Sequence, residues 1–344
     1  MKLSDLGEFG LIDRIAKLSV AADPRVICGI GDDCAVIESG TPGKVLLVTT
    51  DLLVEGIHFR RHTTTPRLLG RKALAANLSD VAAMGGSPHV FTVSLAVRPN
   101  MSVAWVESLY DGIGERAAEA EVSLVGGDTA ATSDTTVISV TLLGECPKAE
   151  VIYRHGARPG DSIYVTGAPG ESAAGLAIVT AEAMGNLQAT ALGDEEREDF
   201  DRLRLRHLDP EPRLQAGRML ASRHWATAMI DVSDGLAADL GRILERSGAG
   251  ARVEAARLPI SVPLRAACER LALDPLDLAL GGGEDYELLF TAPPDLGEEA
   301  LSRSLGIPVS WIGVITEGLG DLRVVDPSGR ERPLEARGFE HFHR

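Results

Sequence analysis

Lysine is nearly missing from this chain. It stands only at Lys2, Lys17, Lys44, Lys72 and Lys148, so almost all of the 34 basic residues are arginine. Against them stand 50 acidic residues, a formal net charge of −16. That balance argues against a protein that wraps nucleic acid, because phosphate backbones draw Lys and Arg. A small anionic ligand stays possible, since bound cations reverse a local field. The four cysteines (Cys28, Cys34, Cys146, Cys268) form no C-x-x-C pair and have no histidines at zinc spacing. They read as buried, reduced thiols. No apolar run approaches the ~20 residues that span a bilayer, and residues 1–8 lack the apolar core of a signal peptide. The cytoplasm is the expected compartment, with no membrane partner. The G-x-x-x-x-G-K-[ST] loop and the kinase H-R-D and D-F-G sets are missing too, which argues against a P-loop ATPase and a protein kinase. The calcium loop D-x-[DN]-x-[DN]-G is also lacking.

What the chain does have is acidic residues in short clusters, most with glycine alongside. They are Gly31-Asp32-Asp33, Thr49-Thr50-Asp51, Ser79-Asp80, Gly126-Gly127-Asp128-Thr129, Asp231-Val232-Ser233-Asp234-Gly235 and Gly281-Gly282-Gly283-Glu284-Asp285. An Asp is seldom buried unless it is paired or holds a cation, and glycine lets a ligand approach the backbone. One Gly-Asp-Asp alone is an ordinary surface turn, and Asp234 or Ser233 could simply cap a following helix. Recurrence beside apolar, β-branched stretches points instead to hard divalent cations, which take oxygen ligands, and to a phosphate ligand. Gly167-Ala168-Pro169-Gly170-Glu171-Ser172 resembles a phosphate loop but has no lysine, and reads as a strand–helix turn.

At 344 residues, two domains are the natural expectation. Periodicity predicts helices over 1–20, 66–85, 102–120, 171–184, 211–222, 235–247 and 297–304. Strands are expected over 34–37, 44–50, 91–97, 122–125, 136–143, 162–166, 226–230, 252–255, 286–291 and 309–315. Residues 185–206 read as an exposed loop and helix with no function. The alternation implies an α/β protein built around mixed sheets.

The ordered set GIGDDCAVI (29–37), TTDLLVEGIHF (49–59), KALAANLSDVAAMGG (72–86), GGDT (126–129), DVSDGL (231–236) and GGGEDYELLF (281–290) closely resembles the thiamine-monophosphate kinase family, within the aminoimidazole ribonucleotide synthetase-like ATP-binding superfamily. The likeness runs from Gly7-Glu8-Phe9 to Gly338-Phe339-Glu340-His341-Phe342. Sister enzymes with a reactive cysteine in a glycine-rich N-terminal loop or at the C-terminus fit less well, since Cys28 precedes Gly-Ile-Gly-Asp-Asp and the chain ends Phe342-His343-Arg344. Aminoimidazole ribonucleotide synthetase fits the motifs at His58 and Glu284 less well. A dead nucleotide site is disfavoured because no cluster has lost its carboxylates.

The resemblance implies a two-domain fold: residues 1–148 as an ATP- and Mg²⁺-binding, dimerising domain, and residues 149–344 as an α/β domain completing the site. It implies ATP-dependent phosphorylation of thiamine monophosphate to thiamine diphosphate, by direct in-line transfer with several Mg²⁺ ions and no covalent nucleophile, in a homodimer. It assigns metals to Asp33, Thr49, Thr50, Asp51, Asp80, Asp128, Asp231 and Asp234. ATP falls to Gly127, Asp128, Arg154 and Ser233, and the thiamine phosphate to His58, Glu284 and Phe339. Asp32 is expected behind the ligands, and the remaining histidines are expected to be structural or solvated.

Overall fold

The computed structural model describes residues 2–18, 23–188, 192–335 and 338–342. Helix α1 (Leu3–Leu18) leads into strands β1 (Val26–Cys28), β2 (Ala35–Glu38) and β3 (Lys44–Val54). Then come α2 (Pro66–Ala83), β4 (Ser87–Val97), α3 (Val103–Glu119), β5 (Ser123–Ala131) and β6 (Val137–Pro147). These six strands form one sheet in the order β1-β2-β3-β6-β4-β5, antiparallel except for the β4–β5 pair.

The second half begins with β7 (Ser162–Thr166), α4 (Glu171–Ala183), α5 (Asp194–Leu208), α6 (Leu214–Ser222), β8 (Ala228–Asp231), α7 (Leu236–Ser247) and β9 (Gly250–Glu254). It continues with α8 (Val262–Leu271), α9 (Pro275–Gly281), β10 (Leu288–Ala292), α10 (Glu298–Leu305), β11 (Val309–Thr316), β12 (Leu322–Val325) and β13 (Glu331–Pro333). Its sheet runs β13-β12-β9-β11-β7-β10-β8. The fold is thus two mixed α/β layers, as the residue pattern and the resemblance imply.

Local chemistry explains the elements that position the site. Thr65 accepts a hydrogen bond from the Leu68 amide and Pro66 occupies the first turn, so α2 starts sharply. Within β3, Val45, Leu47, Thr49 and Leu53 point inward, while Lys44, Thr50 and Leu52 point out. Helix α2 is buried on nearly every side. It gives Leu69, Leu74, Leu78 and Val81 to the core under the first sheet, and Ala82 and Ala83 to a core shared with Leu220 and Phe290 of the second half. A helix so enclosed that still carries Lys72, Asn77 and Ser79 departs from apolar patterning, which is where function is expected.

Two differences from the sequence reading bear on the site. Asp51 and Asp128 lie inside strands, not in turns after them: β3 runs on to Val54 and β5 to Ala131. Strand β5 can pass through Gly126-Gly127 because a Cβ on Gly127 would stand 2.0 Å from the Val93 carbonyl oxygen of its parallel partner, a spacing open only to glycine. Strands β1, β12 and β13 and helices α8 and α9 are further elements without a counterpart in the periodicity. The expected helix over 1–20 ends at Leu18, and residues 19–20 fall outside the described residues.

Candidate active site

Three segments bring carboxylates together at the junction of the two halves. Asp33 precedes β2, Asp80 lies in the last turn of α2, and Asp231 ends β8. Carboxylate oxygens of the three lie within 4.8 Å of one another. Ser79 Oγ donates to Asp231 Oδ2 at 2.6 Å, tying α2 to β8. Thr49 donates to Asp80, and Asp51 shares a hydrogen bond with Asp80 while its amide donates to Asn77 Oδ1 at 3.2 Å.

Burial and like charge set the electrostatics here. Burial first, then Asp51, Asp231 and Asp33, pushes the Asp80 carboxyl well above the usual range. Asp231 rises for the same reason, burial first and then Asp33. Burial and neighbouring carboxylates lift Asp51 to about 6 and Asp32 to about 7. Arg154 is the local counter-charge: its guanidinium pairs with Asp33 Oδ1, and its amide donates to both Asp32 oxygens at 3.2–3.3 Å. Asp33 Oδ2 is buried without a hydrogen-bond partner. An acceptor-only group in that position is matched by a cation.

Not every expected ligand joins this group. The Thr50 side chain lies on the opposite face of β3, where it donates to the Val140 carbonyl at 3.0 Å and meets Thr141 Oγ1 at 3.1 Å. Strand alternation separates it from Thr49 and Asp51. Gly127 and Asp128 lie on the exposed edge strand β5. Gly127 is in register with Val93, Val140 and Asp51 across β4, β6 and β3, so it stands three strand spacings, about 14 Å, from Asp51. Asp234 pairs with Arg242 beside the trio.

Ser233 belongs to a rigid turn. Asp239, one turn into α7, accepts the amides of Ser233, Asp234 and Gly235 at 3.0–3.2 Å. It thus takes the capping role that the sequence reading gave to Ser233 or Asp234. Burial lifts Asp239 to about 7, with Arg242 opposing. This turn is zipped to the glycine loop: the Glu284 amide donates to the Ser233 carbonyl at 2.7 Å and the Tyr286 amide to the Val232 carbonyl at 2.9 Å. Gly283 is required there, since its Cβ would meet the Ser233 oxygen at 2.5 Å.

His58, Glu284 and Phe339 come together beside this group. His58 Nδ1 accepts the Val54 amide at 3.0 Å, leaving its other face toward the C-terminal tail. The Phe339 ring lies 6.4 Å from the His58 ring, and the Phe339 amide donates to the Asp234 carbonyl at 2.9 Å. His341 completes the aromatic group, 5.0 Å from His58 and edge-on to Phe339 at 4.9 Å. Lys72 and His207 face Glu284 from α2 and α5. Sequence reasoning gave Lys72 no role and set His207 and His341 aside. The signals were there: Lys72 opens the KALAANLSDVAAMGG stretch on the same helix as Asp80, and His341 lies in the quoted Gly338–Phe342 segment.

The descriptions "AIR synthase related protein, N-terminal domain" and "AIR synthase related protein, C-terminal domain" match residues 31–146 and 158–325, which defines the class of the fold. The thiamine-monophosphate kinase of Escherichia coli K12 is 41% identical over 343 residues, 98% of each chain. That of Bacillus subtilis is 36% identical over 339 residues, 98% of this chain and 100% of the relative. The solved AaThiL complexed with AMPPCP and TMP superposes with a TM-score of 0.84 at 36% identity, covering 99% of each chain. The chain belongs to the thiamine-monophosphate kinase family.

Proposed function

We propose that the chain carries out ATP-dependent phosphorylation of thiamine monophosphate, yielding thiamine diphosphate and ADP for thiamine diphosphate synthesis. One observation carries this reading: α2 and the paired 231–235 and 283–287 loops hold a largely buried carboxylate group next to a cluster of His58, Phe339 and Glu284. A phosphate oxygen of the monophosphate attacks the γ-phosphorus of ATP, the bond to the β–γ bridging oxygen breaks, and ADP leaves with that electron pair. A phosphate nucleophile is already anionic, so no strong base or covalent intermediate is needed, and the protein's task is alignment.

The nucleotide is assigned to Arg154, the backbone around Ser233, and Gly127 with Asp128 on β5. A planar guanidinium at the junction suits phosphate oxygens. Glu284, His58 and Phe339 are assigned to the thiamine phosphate. The partnerless Asp33 Oδ2 and the raised Asp80 and Asp231 carboxyls fit Mg²⁺, with Asp51 and Thr49 beside them. Bound there, Mg²⁺ neutralises phosphate charge and orients the two phosphate groups. Asp234 is available if Arg242 releases it, and Thr50 only through its carbonyl.

Residues 1–148 and 149–344 are read as the two domains. A homodimer is read from the outward face of the first sheet, where Leu52 is 51% exposed beside Thr50 and the edge strand β5 is exposed throughout. No described helix is long and apolar enough to cross a membrane, and the cytoplasm is the proposed compartment. Product analysis with ATP, Mg²⁺ and thiamine monophosphate tests the reaction. Equal amounts of thiamine diphosphate and ADP are expected, while ADP with free phosphate and no thiamine diphosphate would overturn it.

A further inference from the structure

Lys72 is a buried cation to which the reaction above gives no task. It is 3% exposed on α2, eight residues before Asp80 and hence ~12 Å from it along the helix. An ammonium stripped of water in this way must be paired. Its Nζ lies 2.9 Å from Glu284 Oε1. On the other side of that carboxylate, His207 Nδ1 lies 3.5 Å from Oε2 and 3.2 Å from Ser172 Oγ. Burial, then Lys72, drives His207 down to about 3, so it faces Glu284 as a neutral ring. His58 also faces this carboxylate and is lowered by burial and by His341. Among the described groups facing Glu284, Lys72 is therefore the one fixed positive charge.

Glu284 is held under constraint. Its φ of +62° is a left-handed conformation that costs a glutamate energy and persists only where its surroundings enforce it. Burial pushes its carboxyl up, yet the charge environment, Lys72 foremost, outweighs burial and holds it below the usual carboxylate range. A buried ion pair adds little stability compared with a well-packed apolar pair, so stability alone gives a weak account of this one. Its place beside His58 and Phe339 gives a better one.

We propose that Lys72 is a positioning residue for substrate recognition: paired with Glu284, it keeps a half-buried carboxylate charged and fixed in orientation in the pocket assigned to the cationic, thiazolium-bearing substrate. The inference rests on the pocket assignment made under the proposed function. Lys72 acts through Glu284 and does not touch the reacting phosphates.

The test is steady-state kinetics and thermal midpoints for K72M, K72Q, E284Q and the K72M/E284Q double variant. K72M is expected to raise KM for thiamine monophosphate about tenfold or more, the scale of a lost charge-assisted contact. KM for ATP and kcat should change by less than about threefold, and K72Q, which retains a donor, should fall between K72M and the parent. In the E284Q background K72M should add less than about threefold, the signature of residues acting as one unit. Should K72M alone fail to fold because it strands a half-buried carboxylate, K72Q and the comparison of E284Q with the double variant carry the test. Independent, multiplying effects would overturn the proposal, as would an unchanged KM in K72M while E284Q is impaired. Equal damage to both KM values and kcat would mark Lys72 as merely structural. A parent protein that forms no thiamine diphosphate overturns the reaction itself and this inference with it; normal parent turnover with a Lys72-insensitive KM overturns this inference alone.

Discussion

Replacing Asp80 with Asn should make the protein more stable in chelator and nearly inactive, a combination that a purely structural carboxylate would not give. Asp80 is half-buried, and its carboxylate stands within 4.8 Å of those of Asp33 and Asp231. Two unit charges at that distance repel by about 3 kcal/mol at an effective dielectric near 20. Arg154 on Asp33 relieves part of this, and so does proton uptake by Asp80 itself. The net gain expected for Asp80→Asn is therefore ~1–3 kcal/mol. Asn keeps an oxygen to accept from Thr49, so the local packing survives. Urea midpoints in EDTA measure the gain. A Mg²⁺ titration of the same midpoint should then shift the parent upward by mass action and leave the variant nearly still. Turnover should fall by more than the roughly 10–100-fold that accompanies loss of even an outer partner of a metal. A variant less stable in EDTA, or one that keeps the full Mg²⁺ shift, would refute the reading of these carboxylates as a crowded cation site.

Three further outcomes follow from the same geometry. Thr49→Val should lose most of the Mg²⁺ response while Thr50→Val stays within about threefold of parent turnover, because only Thr49 points at Asp80; equal damage from both would put the Thr50 side chain back among the ligands. Gly127→Ala drives a Cβ to 2.0 Å from the Val93 carbonyl, so it should cost roughly 1–3 kcal/mol and weaken ATP binding, read by midpoint and calorimetry; an unchanged midpoint would show that the β4–β5 pair yields easily. His207 has a folded value near 3 against an ordinary 6.5, so the unfolded chain binds more protons between those limits. Its contribution is complete above pH 6.5 and is lost as pH falls, by up to about 1.4 kcal/mol per unit. Urea midpoints at pH 7, 6 and 5 should show this slope in the parent and a flatter one in His207→Gln, whereas parallel slopes would contradict a neutral buried ring.

How much of this could be read from the chain depends on the range of the interaction involved. Thr65-Pro66 announces α2, and alternating Val45, Leu47 and Leu53 announces β3, because capping and burial are local patterns. The same alternation was available to separate Thr49 and Asp51 from Thr50, yet a motif read as a block assigns all three to one site. The true ends of β3 and β5 were less legible. Polar Asp51 and glycine-rich Gly126-Gly127-Asp128 break the apolar pattern, while the ladder continues through backbone pairing with β6 and β4. Strand β13, with all three residues exposed, offers no pattern and exists only as an edge partner of β12.

The pairings that define the pocket are a different matter, because they join residues far apart in sequence. Lys72 meets Glu284, His207 meets Ser172 and Glu284, and Ser79 meets Asp231, and no periodicity encodes any of these contacts. Each leaves one local trace, a polar residue inside an otherwise apolar or buried element. For Lys72 and Ser79 that trace lies on the same enclosed helix as Asp80. A helix buried on nearly every side cannot hold four polar residues unless each has a partner. All four have a partner outside the helix (Glu284 for Lys72, the Asp51 amide for Asn77, Asp231 for Ser79 and Thr49 for Asp80), and these partners mark out the acid cluster and the group around Glu284. The polar face of α2 is thus the physical link between the carboxylate group and the residues proposed to hold the substrate, and a change there should disturb both before it disturbs the core.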